Sequence, residues 1–463
     1  MGADGWRVWL LGVAVVVLLS SGITSAALIH LDDDNQPVAW DGRVQPLAEF
    51  VADERGLEFE HPVDVEFLDN QEFTSEISEE GGELTETDEE DAENFGRLFR
   101  AVGLASGDVD LLDSGQQAAE EGILGYYDPE RERILVRGTD MTVDVRATLV
   151  HELTHALQDQ HFDLALADEF ETSGQEFAYQ ALVEGDARRI ERAYLRDLPE
   201  SQLDEYVEES AEEPDFEGVP AALVAYLSAP YELGVGFAGL VAEQGGQTAI
   251  DDAFEDPPQS DENIMDPFTF LADDEPVSVD QPELAPNEEE FDSGDWGALT
   301  WLLMLGARID PHAALRAVDG WGGDAYVAFE RDDTTCVRIA YVGETPRDTD
   351  EMAAALDQWV AAMPPGAASV QRTPAALRLD ACDPGPDVST EFDPDEAEIL
   401  LLPAARSEFT WELLDGGFNE AQARCVGQAV ADSLSIDEVR QIATGEENAD
   451  LERRVGALVD DCR

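Results

Sequence analysis

Residues 142–162 read TVDVRATLVHELTHALQDQHF, and the pentapeptide His151-Glu152-Leu153-Thr154-His155 within them governs how the rest of the chain is read. Thr142 is a helix N-cap by residue type. Val145, Leu149, Leu153, Ala156 and Leu157 then recur at the three- and four-residue spacing of a buried helix face,. On such a helix His151 and His155 leave the same side one turn apart, so both imidazoles can grip one metal ion. Glu152 points beside that ion, where a water would sit. Given only six histidines, chance places this pattern in roughly one such chain in a hundred. The competing reading is a pair of core histidines that bind no metal.

Upstream, Ile123–Tyr127 and Ile134–Val136 flank the turn Asp128-Pro129-Glu130-Arg131, which reads as strand, turn, strand,. The strand Arg133–Arg137 could pair with an extended peptide by edge addition. Downstream, a second helix spans about Gly174–Asp197 and contains Leu182-Val183-Glu184-Gly185-Asp186-Ala187. Two histidines leave a tetrahedral zinc one protein ligand short, with the last position for water. Glu184 is the best third ligand. Gly185 lets its helix approach a neighbour closely, and Asp186 could hydrogen-bond a ligand histidine and set its tautomer. His161 is the rival ligand. It lies six residues after His155, a spacing that needs a glycine midway to break the helix, and the residue there is Gln158,. A helix continuing past Gln158 turns His161 away from the metal and leaves it as a C-terminal histidine favoured by the helix dipole. Glu169 and Glu176 read as solvated. Tyr179, Tyr226, Tyr231 and Arg188 are candidates to stabilise an oxyanion, and packing is the competing role for each.

The motif helix, the Glu184-Gly185-Asp186-Ala187 helix, Pro257-Pro258-Gln259-Ser260-Asp261-Glu262 and Gly320-Trp321-Gly322-Gly323-Asp324 together resemble exported gluzincin-type zinc metallopeptidases of prokaryotes. The resemblance spans about 120–345 and is strongest at the first two motifs. It implies His151, His155 and Glu184 as zinc ligands, Glu152 as general base, and a peptide or protein as substrate. One departure stands out: the relatives carry His-Pro where this chain has Asp266-Pro267, and a catalytic role for that histidine would not transfer. The alternative is a zincin-like surface protein without turnover, serving as a structural or binding module. Trp321 and its glycines read as a structural corner.

Composition narrows the setting. The chain carries 105 acidic residues against 26 basic ones, all arginine, for a net charge of −79. Acid is spread along the chain and interleaved with apolar residues. Such self-repulsion weakens a compact state at ordinary ionic strength and is screened at molar salt, where the Debye length is about 3 Å. The chain thus resembles the brine-dwelling surface proteins of haloarchaea. With no basic patch, nucleic acid is excluded as a partner. Arg7, the apolar run Val8–Leu19 and the small residues after it form an export signal, either cleaved near Ala26 or Ala27 or kept as a membrane anchor across residues 8–29,. Both put the remainder on the extracellular face, and no other stretch reads as long and apolar enough to span. Cys336, Cys382, Cys425 and Cys462 suit disulfides in an exported chain, and loop economy favours Cys336–Cys382 with Cys425–Cys462,.

The expected fold is α+β: a zincin-like, mostly helical catalytic domain with a small hairpin or sheet before the motif helix, a small α/β subdomain and a C-terminal helical module. The expected divisions are a signal or anchor at 1–29, an acidic entry segment and linker at 30–94, the metal-binding domain at 95–271, an acidic linker at 272–295, the α/β subdomain at 296–383 and the helical module at 384–463. Within the second of these, 70–94 reads as a loop because it is acidic and poor in apolar residues. The substrate's identity and the oligomeric state are not legible.

Overall fold

A computed structural model describes residues 39–80, 86–107, 122–162, 172–209, 219–385, 398–445 and 448–463, with single positions 114, 115, 117, 164, 170 and 216 between them. The export segment at 1–29 lies outside the described residues. The chain is mixed α+β and mostly helical, with two small sheets.

The first sheet contains β1 (Asp64–Leu68), β2 (Gly125–Asp128) and β3 (Arg133–Arg137) in the order β1-β3-β2, with β1 parallel and β2 antiparallel to β3. Edge addition at Arg133–Arg137 is therefore ruled out, because β3 is the central strand and both its edges are paired. Among the described residues, the outer edge of β2 is unpaired and lies beside the motif helix. Helix α1 (Gln45–Arg55) packs against the motif helix, burying Leu47, Ala48 and Val51 in a cluster with Leu149, Leu153 and Leu157.

The reading of 70–94 as a loop is also corrected, because helices α2 (Asn70–Glu80) and α3 (Glu86–Ala101) run through it. Asp69 starts α2 by accepting from the Gln71 and Glu72 amides. Phe73 anchors it, fully buried with the Arg137 guanidinium 4.9 Å from its ring centre. One apolar anchor and one cap outweigh an acidic composition that suggested no burial.

The motif helix α4 spans Val143–Phe162 and the Glu184 helix α5 spans Ser173–Arg196. Thr142 Oγ1 accepts from the Val145 amide at the start of α4, and Thr172 caps α5 in the same way through the Gln175 amide. Helix α6 (Glu200–Glu209) lies in the acidic stretch between α5 and helix α7 (Ala221–Gly245). α7 is also long and apolar enough to cross a membrane, contrary to expectation, yet 78% of its most apolar window is buried in the protein. Its contact with α5 is made by glycines: a Cβ on Gly185 would meet the Gly234 carbonyl oxygen at 2.1 Å, and a Cβ on Gly234 would meet that of Ala181 at 2.1 Å.

Helices α8 (Gln247–Glu255), α9 (Asp261–Met265) and α10 (Pro267–Leu271) follow. The second sheet, in order β4-β5-β6-β8-β7, contains β4 (Glu289–Gly294), β5 (Trp321–Arg331), β6 (Thr334–Gly343), β7 (Ala368–Arg372) and β8 (Leu377–Cys382). β4 arises from the stretch expected as linker. Residues 321–323 begin β5, with a bulge between Trp321 and Gly323, and do not form a free-standing turn. Trp321 does serve as a corner: its Nε1 and that of Trp301 both donate to buried Asp324. Helices α11 (Ala298–Gly306), α12 (Pro311–Val318) and α13 (Pro346–Ala362) accompany this sheet, and α14 (Leu401–Asp415), α15 (Glu420–Ser433), α16 (Ile436–Ala443) and α17 (Ala449–Asp461) end the chain. Both expected disulfides are present, Cys336–Cys382 across β6 and β8 and Cys425–Cys462 between α15 and the end of α17. A single apolar cluster joins α3, α5, α7, the second sheet and the C-terminal helices.

Candidate metal centre

Helix α4 presents His151 and His155 toward α5, and α5 returns Glu184 between them. The two Nε2 atoms are 3.0 Å apart, and Glu184 Oε2 lies 3.2 Å from each. His161 is not part of this group: its Nε2 faces the Glu58 carbonyl at 2.9 Å near the end of α4, so the rival ligand is set aside. All three triad residues are buried, His151 and His155 at 4% and 5% exposure and Glu184 at 0%.

The outer contacts decide the chemistry of these three atoms. His155 Nδ1 faces Gln158 Oε1 at 3.0 Å, while Gln158 Nε2 donates to Asp186 and to the Val183 carbonyl. His151 Nδ1 faces a Glu191 carboxylate oxygen at 3.4 Å. Both Nδ1 atoms thus meet acceptors and carry the hydrogens, which turns both Nε2 atoms toward Glu184 Oε2, where a proton or a metal ion can bind their lone pairs. Three electron-rich atoms converge within about 3 Å, and that convergence repels unless a cation lies among them. Imidazole nitrogens and a carboxylate oxygen suit zinc, and tetrahedral ligands at about 2.0–2.1 Å lie about 3.3 Å apart, close to the separations seen.

Asp186 does not hydrogen-bond a histidine, contrary to expectation. It faces away from the triad, accepting from Arg55 Nε at 2.7 Å, Arg189 Nη2 at 2.7 Å and Gln158 Nε2 at 3.1 Å, and so reaches His155 only through Gln158. Burial alone would raise its pKa, but the guanidiniums of Arg55 and Arg189 hold it below the usual value. Glu184 is likewise pushed up by burial and pulled down to about 2 by the histidines. Tyr231 Oη donates to Glu184 Oε1 at 2.9 Å, leaving Oε2 to the histidines. Burial and the Glu184 charge keep that phenol neutral, its pKa well above 10.

Glu152 is 2% exposed, and among the described residues its buried Oε1 has no hydrogen-bond partner. Burial raises its pKa against the pull of both histidines, and the Tyr127 amide of β2 bonds to it. A cavity of ≈20 Å³ lined by Leu124, Thr148, His151, Glu152, Arg188, Glu191 and Tyr231 adjoins it, enough for about one water. Gly125 is required here, since a Cβ there would meet Thr148 Cγ2 at 2.5 Å and Glu152 Cγ at 2.8 Å. Of the four candidate oxyanion partners, Tyr231 and Arg188 line the cavity. Tyr179 packs against Phe170 and Phe254, and Tyr226 against Phe95. Asp266 caps α10 by accepting from the Phe268 amide and does not line the cavity.

Residues 284–421 match a family described as Domain of unknown function (DUF8575). That stretch carries the five-stranded sheet and α14 and leaves out the metal centre, touching its supporting helix where Arg192 Nη1 meets Glu408 Oε2 at 2.8 Å. No curated protein and no solved structure matches the chain.

Gln158, Glu191 and Arg55 are the functional contacts that the sequence reading missed. Gln158 follows His155 by three and Glu191 follows Glu184 by seven, helical spacings that could have flagged both. Arg55 is 131 residues from Asp186 and carries no such signal.

Proposed function

We propose that the chain is a zinc-dependent peptidase of gluzincin type, facing the outside of the cell. The observation that carries this reading is the triad of His151, His155 and Glu184, whose outer hydrogen bonds leave three lone pairs converging beside an unpartnered Glu152 carboxylate oxygen. Structural zinc sites close with four protein ligands, whereas catalytic ones keep three and an open position. Among the described residues three are offered. A zinc ion there supplies Lewis acidity, polarising a carbonyl and lowering the pKa of water toward about 7. Glu152 takes the proton of the attacking water and passes it to the leaving amine. Its burial favours the uptake, because a raised pKa brings a carboxylate closer to neutral pH. In β2, residues 124, 126 and 128 bond to β3, so Gly125 and Tyr127 turn their backbone groups outward beside Glu152,. With the Tyr127 amide given to Glu152, that edge offers an extended peptide the Gly125 groups and the Tyr127 carbonyl. The two disulfides fit an oxidising compartment,.

The burial of the triad favours a second reading, a binding or structural module that keeps the metal without turnover. The test is zinc analysis followed by incubation with a peptide library in molar salt, with Glu152→Gln as control. One zinc per chain and cleavage that vanishes in Glu152→Gln support the peptidase. One zinc and no cleavage leave the module, and absence of zinc overturns both.

A further inference from the structure

Arg188 is the one arginine in the cavity lining, and the hydrolytic scheme above does not use it. It is 7% exposed and one turn beyond Glu184 on α5. A guanidinium has five N–H donors. Among the described residues Arg188 donates one hydrogen bond, from Nη1 to Glu191 Oε2 at 3.0 Å, and its Nε is buried without a partner. Glu191 is shared with His151 Nδ1, so even that pairing is divided. Buried polar groups are almost always satisfied, and exceptions cluster at working sites. Apart from the metal ligand His151, the remaining ionisable acids of the cavity are Glu152 and Glu191. Among the described residues, Arg188 is thus the one permanent side-chain cation in the cavity lining, on a chain of net charge −79.

We propose that Arg188 binds a substrate carboxylate placed one residue beyond the scissile bond, which makes the enzyme a carboxypeptidase. This rests on the peptidase reading. The reach supports it. Side chains one helical turn apart are about 5–6 Å apart. A scissile carbonyl and the following residue's carboxylate are separated by about 3.8 Å of chain, and a charge-assisted hydrogen bond adds about 2.8 Å. One residue therefore spans from the triad to Arg188. A planar fork also pairs with a carboxylate through two parallel bonds, which a single backbone carbonyl cannot match. An aspartate side chain at the same place offers the same chemistry.

The test measures binding of three N-blocked peptides to zinc-loaded Glu152→Gln protein in molar salt: one ending in alanine with a free carboxylate, the same peptide as its amide, and an amide ending in aspartate. We expect the free acid to bind at least tenfold tighter than the alanine amide, and the gain to disappear in Arg188→Gln. A gain for the aspartate amide alone assigns the site to a side-chain carboxylate and overturns the carboxypeptidase assignment. The proposal falls entirely if the three bind within twofold of one another, if none binds, or if the gain survives Arg188→Gln. The comparison between peptides needs no change at Arg188, so misfolding of that variant cannot hide the answer. Mass spectrometry of the same peptides after exposure to the unaltered protein tests hydrolysis separately, and a failure there leaves the binding result to judge Arg188.

Discussion

At the scale of single residues, the centre is organised by what stands behind the ligands. Glu191 and Gln158 fix the tautomers of His151 and His155, and Asp186 fixes Gln158. Replacing such a partner commonly costs 10–100-fold in metal affinity, so Glu191→Gln is expected to weaken zinc binding by about that factor, read by competition with a chelating dye. Proton linkage gives a second check. Burial opposes the charged form of His151, yet hydrogen bonds to Glu184 and Glu191 raise its metal-free pKa to about 10. A raised pKa means that the protonated pair stabilises the fold below about 6.5 and that this contribution is lost as pH rises through about 10,. Zinc must displace that proton. Calorimetry at neutral pH in buffers of different ionisation enthalpy should show proton release, with apparent affinity rising toward tenfold per pH unit. Equal heats in all buffers would contradict it.

At the scale of elements, the contact of α5 with α7 sets where Glu184 and Tyr231 stand. Gly185 and Gly234 let the two backbones touch, and a side chain at either position meets a carbonyl oxygen at 2.1 Å. Overpacking of this kind costs about 1–3 kcal/mol. Gly185→Val is therefore expected to lower the melting temperature and to reduce zinc occupancy together, since the displaced helix carries the third ligand. A melt shifted down with full zinc occupancy would show that the triad does not depend on this contact. Helices were legible where the apolar spacing was strong, as in α4, α5 and α7. They were missed in α2 and in the first half of α3, before Phe95, where an acidic composition was weighed above anchors such as the buried Phe73 of α2. The first sheet was half legible: the hairpin of β2 and β3 is local, whereas β1 pairs with β3 across 69 residues and leaves no local trace.

At the scale of the whole molecule, net charge dominates. With 105 acidic and 26 basic residues, the folded chain is expected to gain stability as salt rises, because screening shortens the reach of repulsion from about 10 Å at 0.1 M to about 3 Å at 1 M. Melting temperature followed from 0.1 to 3 M salt should climb throughout most of that range, and a flat or falling curve would refute the brine reading. Arginine, the sole basic residue type, is concentrated in ion pairs, from the exposed Arg347–Glu351 to the fully buried Arg55–Asp186. The buried pairs are the ones whose loss leaves an uncompensated charge.

His151, Glu152 and His155 were determined by sequence alone, since the spacing of a helix fixes which side chains share a face. The choice of Glu184 over His161 was also legible, because Gln158 offers no break in α4. The disulfide pairing followed from loop lengths. Tertiary structure alone decided that Asp186 turns from the histidines toward Arg55, that β3 is central, and that Arg188, with four donors unused among the described residues, stands beside the cavity. Each of these depends on which helix or strand lies alongside, and packing of distant segments leaves no periodicity in the chain to be read.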